Sequence, residues 1–164
     1  MSILVVDLRA SKKKPSSIAI LDSESHLSQL GSFLEDDELI KLVGEIKPDL
    51  VAIGAPLNLP SGFCCLDKTC DCQFSVPNRK GRLLELELAK MGISCFYTNK
   101  GSIIRDLIYR GILLSNMLKE AGHKVIEVYP HATKMLLFGD KVPPKNSAIS
   151  VSYMIGHLTP LVSG

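Results

Sequence analysis

The sequence predicts an α/β domain built on a mixed five-stranded sheet with helices on its faces. Three observations predict it. Three strand-like runs with short connections open the chain, as in an antiparallel meander. Two later apolar runs are each reached through a helical segment, as parallel strands are. A long irregular stretch bearing cysteines and prolines interrupts the second half of that pattern. At 164 residues the chain is one domain with room for a sizeable core.

The elements follow in order. Residues 3–8, Ile3-Leu4-Val5-Val6-Asp7-Leu8, read as the first strand. A basic turn, Lys12-Lys13-Lys14-Pro15, leads to a second at 17–22 and a weaker third at 27–33. Asp36-Asp37-Glu38 opens a helix, because early acids suit a helix N-terminus. Leu39, Leu42, Val43 and Ile46 share one face of it, and Lys47-Pro48 ends it. Leu50-Val51-Ala52-Ile53-Gly54 is then a buried, parallel strand. Residues 55–78 hold three prolines, Gly62 and most of the cysteines, and read as a functional loop insert. A helix is expected over 79–91, stopped by Gly92. Residues 93–97 read as a short extended piece. The longest helix covers 102–121, with Ile104, Leu107, Ile108, Leu114, Met117 and Leu118 as its apolar stripe. The run Lys124-Val125-Ile126-Glu127-Val128-Tyr129-Pro130-His131 is the fifth strand. Helices over 131–138 and 147–158 come last, separated by Pro143-Pro144.

Composition narrows the function classes. A net charge of +2 does not by itself argue for nucleic acid, and with no Trp and few aromatics no base-stacking platform is evident. No apolar run approaches membrane-spanning length, so no membrane partner is expected. The first residues lack a signal-peptide pattern, which predicts a cytoplasmic protein. Glycine-rich phosphate loops, G-x-S-x-G and H-E-x-x-H are absent.

Glu127 is the most informative residue. It interrupts an apolar strand, where a carboxylate costs several kcal/mol unless paired, solvated or bound to a cation. Asp7 ends the first strand in a similar setting. Two acids at strand ends begin a site for a hard cation, which takes oxygen ligands. The alternatives are a lysine or arginine partner for Glu127 and a turn role for Asp7.

The segments Val51-Ala52-Ile53-Gly54-Ala55-Pro56-Leu57-Asn58-Leu59-Pro60 and Val125-Ile126-Glu127-Val128-Tyr129-Pro130-His131-Ala132, with the Asp7 strand, resemble an uncharacterised bacterial and archaeal family of predicted nucleases with the ribonuclease H-like fold. The resemblance covers most of the chain in consistent order. It implies a ribonuclease H-like sheet and a divalent-metal-dependent nuclease-like activity on phosphodiesters. Carboxylates at strand ends would hold Mg²⁺ or Mn²⁺, one ion activating water and another stabilising the leaving oxygen. It implies Asp7 and Glu127 as metal ligands, with His131 as a catalytic auxiliary. The sequence departs from the family where Gly54 stands in place of an acid. No Asp or Glu follows Asp140, although the fold usually supplies a last acid from a C-terminal helix. The second reading is therefore a non-catalytic domain that binds nucleic acid or a protein partner, including a second copy as a homodimer. A third, phosphotransfer as in actin-like kinases, lacks the required phosphate loops.

Cys64, Cys65, Cys70 and Cys72 crowd the insert. They read as a zinc site using three of them plus Cys95 or a histidine, as an iron–sulfur site, or as reduced thiols. Lys12, Lys13, Arg79, Lys80 and Arg82 are the candidate phosphate contacts, with Lys14, Arg105 and Arg110 as extensions of that surface. Their alternative is a solvated face, with Arg105 and Arg110 paired to acids such as Asp106.

Overall fold

The computed structural model describes residues 1–77, 80–144 and 147–162. Strands β1 (Ile3–Asp7), β2 (Ser16–Leu21), β3 (Leu27–Phe33), β4 (Leu50–Ile53) and β5 (Val125–Glu127) form one sheet in the order β3-β2-β1-β4-β5. β1 pairs antiparallel with β2, and β2 with β3; β4 lies parallel to both β1 and β5. The helices are α1 (Asp36–Ile46), α2 (Leu83–Lys90), α3 (Arg105–Glu120), α4 (Pro130–Phe138) and α5 (Ser150–Leu158). The expected mixed sheet with flanking helices is therefore present. No described helix is long and apolar enough to cross a membrane.

Local chemistry sets the connections. Between β2 and β3, the Asp22 carboxylate accepts from the N–H groups of Glu24 and His26, which closes a tight turn. α1 opens with a capping box between Glu35 and Glu38 and carries three acids in its first turn. It stops at Lys47, whose left-handed backbone (φ 49°) precedes Pro48.

Alternation along the strands builds one buried face. Leu4, Val6, Ile18, Ile20, Val51 and Ile53 point from it toward Leu39 and Val43 of α1 and Leu114 and Leu118 of α3. α3 reaches this face because Gly111 lacks a side chain: a Cβ there would sit 2.8 Å from the Pro56 carbonyl oxygen. The other face is more open, with Leu30 69% and Ile126 43% exposed.

Several expectations change in detail. α2 begins at Leu83, not 79, and Arg79 lies outside the described residues. Residues 93–97 form no strand; Ile93 instead packs with Leu88 and Ala132 in a small second core. On α3, Met117 is exposed and Arg110 is buried within the stripe.

Candidate functional site

β4 and β5 end side by side, and the segments leaving both strands meet α2. Arg82, just before α2, grips Glu127 with a two-toothed fork: Nη1 donates to Oε2 at 2.7 Å and Nη2 to Oε1 at 2.6 Å. The Leu57 N–H donates to the same Oε2 at 2.9 Å. Arg82 Nε donates to Glu85 Oε1 at 2.8 Å, and Nη1 also reaches Asn58 Oδ1 at 2.8 Å. Glu85 is buried and takes further hydrogen bonds from the backbone N–H groups of Arg82 and Thr98 and from the Thr98 hydroxyl.

Every acid in this cluster is thus hydrogen-bonded, as burial requires. Burial works against the Arg82 charge, but the hydrogen bonds to Glu127 and then Glu85 overcome it, so the guanidinium pKa lies above its ordinary value. One guanidinium against two carboxylates leaves the cluster one negative charge in excess. It lines a cavity of about 240 Å³, walled by Leu84, Leu88, Phe96, Ile104, Leu107 and Tyr129. Burial raises the pKa of Tyr129 and that of Cys95, which also borders this cavity.

Asp7 lies elsewhere. In the strand register Val6 is beside Ile53, and Ile53 is beside Glu127. Partners in register share a face, so Glu127 belongs to the face of Val6 and Ile53. Asp7, one residue on, belongs to the opposite face. Its Oδ1 stands 3.8 Å from where a Gly54 Cβ would be. Asp7 is exposed and does not line the cavity. By register Asp7 and Glu127 leave their strands on opposite faces, and the Glu127 oxygens accept from Arg82 and Leu57.

The remaining candidates scatter. A ring nitrogen of His131 lies 3.4 Å from the Ser94 hydroxyl, and its ring meets Tyr129 edge-on. Lys12 pairs with Glu35 at 2.5 Å, and this hydrogen bond raises its pKa. Lys13, Lys14 and Lys80 are exposed. Arg105 contacts Asp106 at 3.7 Å, whereas Arg110 pairs with Asp36, not Asp106. Arg82, expected on a phosphate-binding surface, is an internal ion-pair partner.

The cysteines do converge. One sulfur from each of Cys64, Cys65, Cys70 and Cys72 lies within 4.8 Å of the others, an arrangement that can hold a metal ion. Cys95 is not in the group; its thiol points to the Glu85 carbonyl at 3.5 Å. Hydrogen bonding with the Cys65 backbone is the main influence that lowers the Cys72 thiol to about 6. Hydrogen bonding to the thiols of Cys70 and then Cys72 pushes Cys64 up to about 12.

Glu85, Thr98 and the Asp36 partner of Arg110 were not legible as site residues. The one available signal was Arg82-x-x-Glu85, whose spacing puts an acid one helical turn after an arginine at a helix start.

The fold and site define an α/β domain with a mixed sheet and a cysteine-bearing insert. No protein-family model matches the chain, and no curated protein matches it. Among solved structures it is similar to a trimeric exonuclease, PhoExo I from Pyrococcus horikoshii OT3. In that protein's complex with poly-dC the TM-score is 0.39 at 12% identity, over 98% of this chain and 72% of that one. In its complex with poly-dA the TM-score is 0.38 at 12% identity, over 95% and 70%. These values leave the functional reading to the geometry of the chain itself.

Proposed function

We propose that this chain is a nuclease-like domain of the ribonuclease H-like kind that binds nucleic acid without metal-dependent hydrolysis at its strand ends. A three-stranded meander followed by two parallel strands, in the order β3-β2-β1-β4-β5, supports that fold. The observation that carries the non-hydrolytic part is the state of Glu127. Both its oxygens are held by Arg82, and it belongs to the sheet face opposite Asp7. A two-metal mechanism needs carboxylates that converge on the ions from one side.

The binding surface lies at the carboxyl ends of the parallel strands, where open α/β sheets take their ligands. Lys13 and Lys14 follow β1, and Lys80 lies between the insert and α2; all three are exposed. Lys12 and Arg82 are neutralised by acids and contribute less.

Fluorescence anisotropy with labelled single- and double-stranded DNA and RNA tests the reading. Binding should weaken steeply with salt, and a Lys13→Glu/Lys80→Glu double change should weaken it about tenfold or more. The same oligonucleotides incubated with Mg²⁺ or Mn²⁺ should stay intact. Cleavage that disappears in Asp7→Asn would overturn the non-hydrolytic reading. Absence of salt-sensitive binding at low ionic strength would overturn the nucleic-acid reading.

A further inference from the structure

The insert after β4 is poor in the forces that usually order a chain. Across residues 61–77 there is no helix or strand, and Leu66 is the one buried side chain. A few turn hydrogen bonds support it, such as Ser75 N–H to the Ser61 carbonyl and Cys70 N–H to the Asp67 carbonyl. Among the described residues, two hydrogen bonds reach outward, and Lys100 also stands over the Phe63 ring. The Leu66 N–H donates to the Tyr109 hydroxyl of α3 at 2.7 Å, and the Lys100 ammonium donates to the Cys70 carbonyl. Fixing each backbone residue costs about 1–2 kcal/mol in entropy, so a segment with so little core needs another source of order.

Four thiols stand at its centre. The Sγ atoms of Cys64 and Cys70 are 3.5 Å apart, and the whole set falls within 4.8 Å. Zinc–sulfur bonds of about 2.3 Å in a tetrahedron place the sulfurs roughly 3.8 Å from one another. The free thiols already lie near those corners. They are not bonded to each other as disulfides.

We propose that Cys64, Cys65, Cys70 and Cys72 bind one zinc ion as a closed tetrathiolate site that holds the insert in place. Four soft sulfur ligands in a tetrahedron select zinc or iron over magnesium or calcium, which take oxygen. A protein ligand at every corner leaves no open position for water, so the role is structural. Four thiolates around Zn²⁺ carry two negative charges, and the Lys100 ammonium at the Cys70 carbonyl sits where it offsets part of them. Cys95 and the histidines are not needed, and the adjacent pair Cys64-Cys65 contributes both members. The inference does not depend on what the strand ends bind.

Full-length protein purified under reducing conditions without added metal should contain about one zinc per chain by elemental analysis. Cobalt exchanged into the site should show thiolate-to-metal charge-transfer absorption. Cys64→Ser and Cys72→Ser should lose most of the zinc, and Cys95→Ser should keep it. Should a serine variant fail to fold, alkylation of the wild-type chain decides: adding a chelator should make four further thiols reactive. Less than about a tenth of an equivalent of zinc would overturn the proposal. So would stoichiometric iron in its place, a Cys64–Cys70 disulfide by intact mass, or zinc lost from Cys95→Ser but retained in the other two.

Discussion

Arg82 and Arg110 are both nearly inaccessible, yet their surroundings differ. Arg110 meets one carboxylate, donating through Nε and Nη2 to Asp36 Oδ1 at 2.8 and 2.6 Å. Its other bonds go to neutral acceptors: the carbonyls of Arg9 and Leu34 and the hydroxyl of Ser16. One base against one acid makes a balanced clamp. It ties α3 to the start of α1 and to the segments flanking β2 and β3. Arg82 meets two carboxylates, and one wall of its cluster is the cavity beside β5. The balanced site, with Arg110 buried and Asp36 partly accessible, reads as architecture. The unbalanced one opens on space and holds the residue that first looked catalytic.

Substitution tests whether charge balance separates the two sites. Arg82→Met should be the most damaging change, costing about 3–5 kcal/mol, because it strands two carboxylates at once, the buried Glu85 and the partly accessible Glu127. Urea denaturation measures this, and adding Glu85→Gln should restore part of the loss. Arg110→Met should cost less, about 2–3 kcal/mol, since it strands one partly accessible acid and two carbonyls. A larger loss at Arg110 than at Arg82 would show that charge balance does not separate them.

Smaller effects are expected at the acids. Glu127→Gln keeps one acceptor for Arg82 and relieves the excess negative charge, so it should cost only about 1 kcal/mol. Asp7→Asn should change stability by less than about 0.5 kcal/mol, as for an exposed residue. It should also leave any Mg²⁺- or Mn²⁺-induced shift in melting temperature unchanged. A metal-dependent shift abolished by Asp7→Asn alone would place a cation on that face without help from Glu127.

Much of the fold was legible because periodicity is local. The meander, the β4 run and the long helix all follow from spacing of apolar residues over a few turns or pleats. The boundary errors fall where tertiary packing overrides propensity. Residues 93–97 have strand-like composition, but Ile93 turns into the small core beside Leu88. Arg110 reads as a surface cation on a helix, yet its alkyl stem and fork suit a buried corner next to the Asp36 carboxylate, with Phe33 beneath the guanidinium.

By itself, the order of residues determined that Glu127 needs a partner, since a carboxylate in an apolar strand cannot stay unpaired. It also determined that four thiols lie within a few residues of one another. Which partner Glu127 takes was decided by the tertiary structure, because Arg82 is distant in the chain and arrives only when α2 packs across the ends of β4 and β5. Register decided the fate of Asp7: a shift of one residue along a strand moves a side chain to the other face. The thiols obeyed the same logic, for their convergence depends on how the insert folds back on itself and against Tyr109 and Lys100, not on their spacing in sequence.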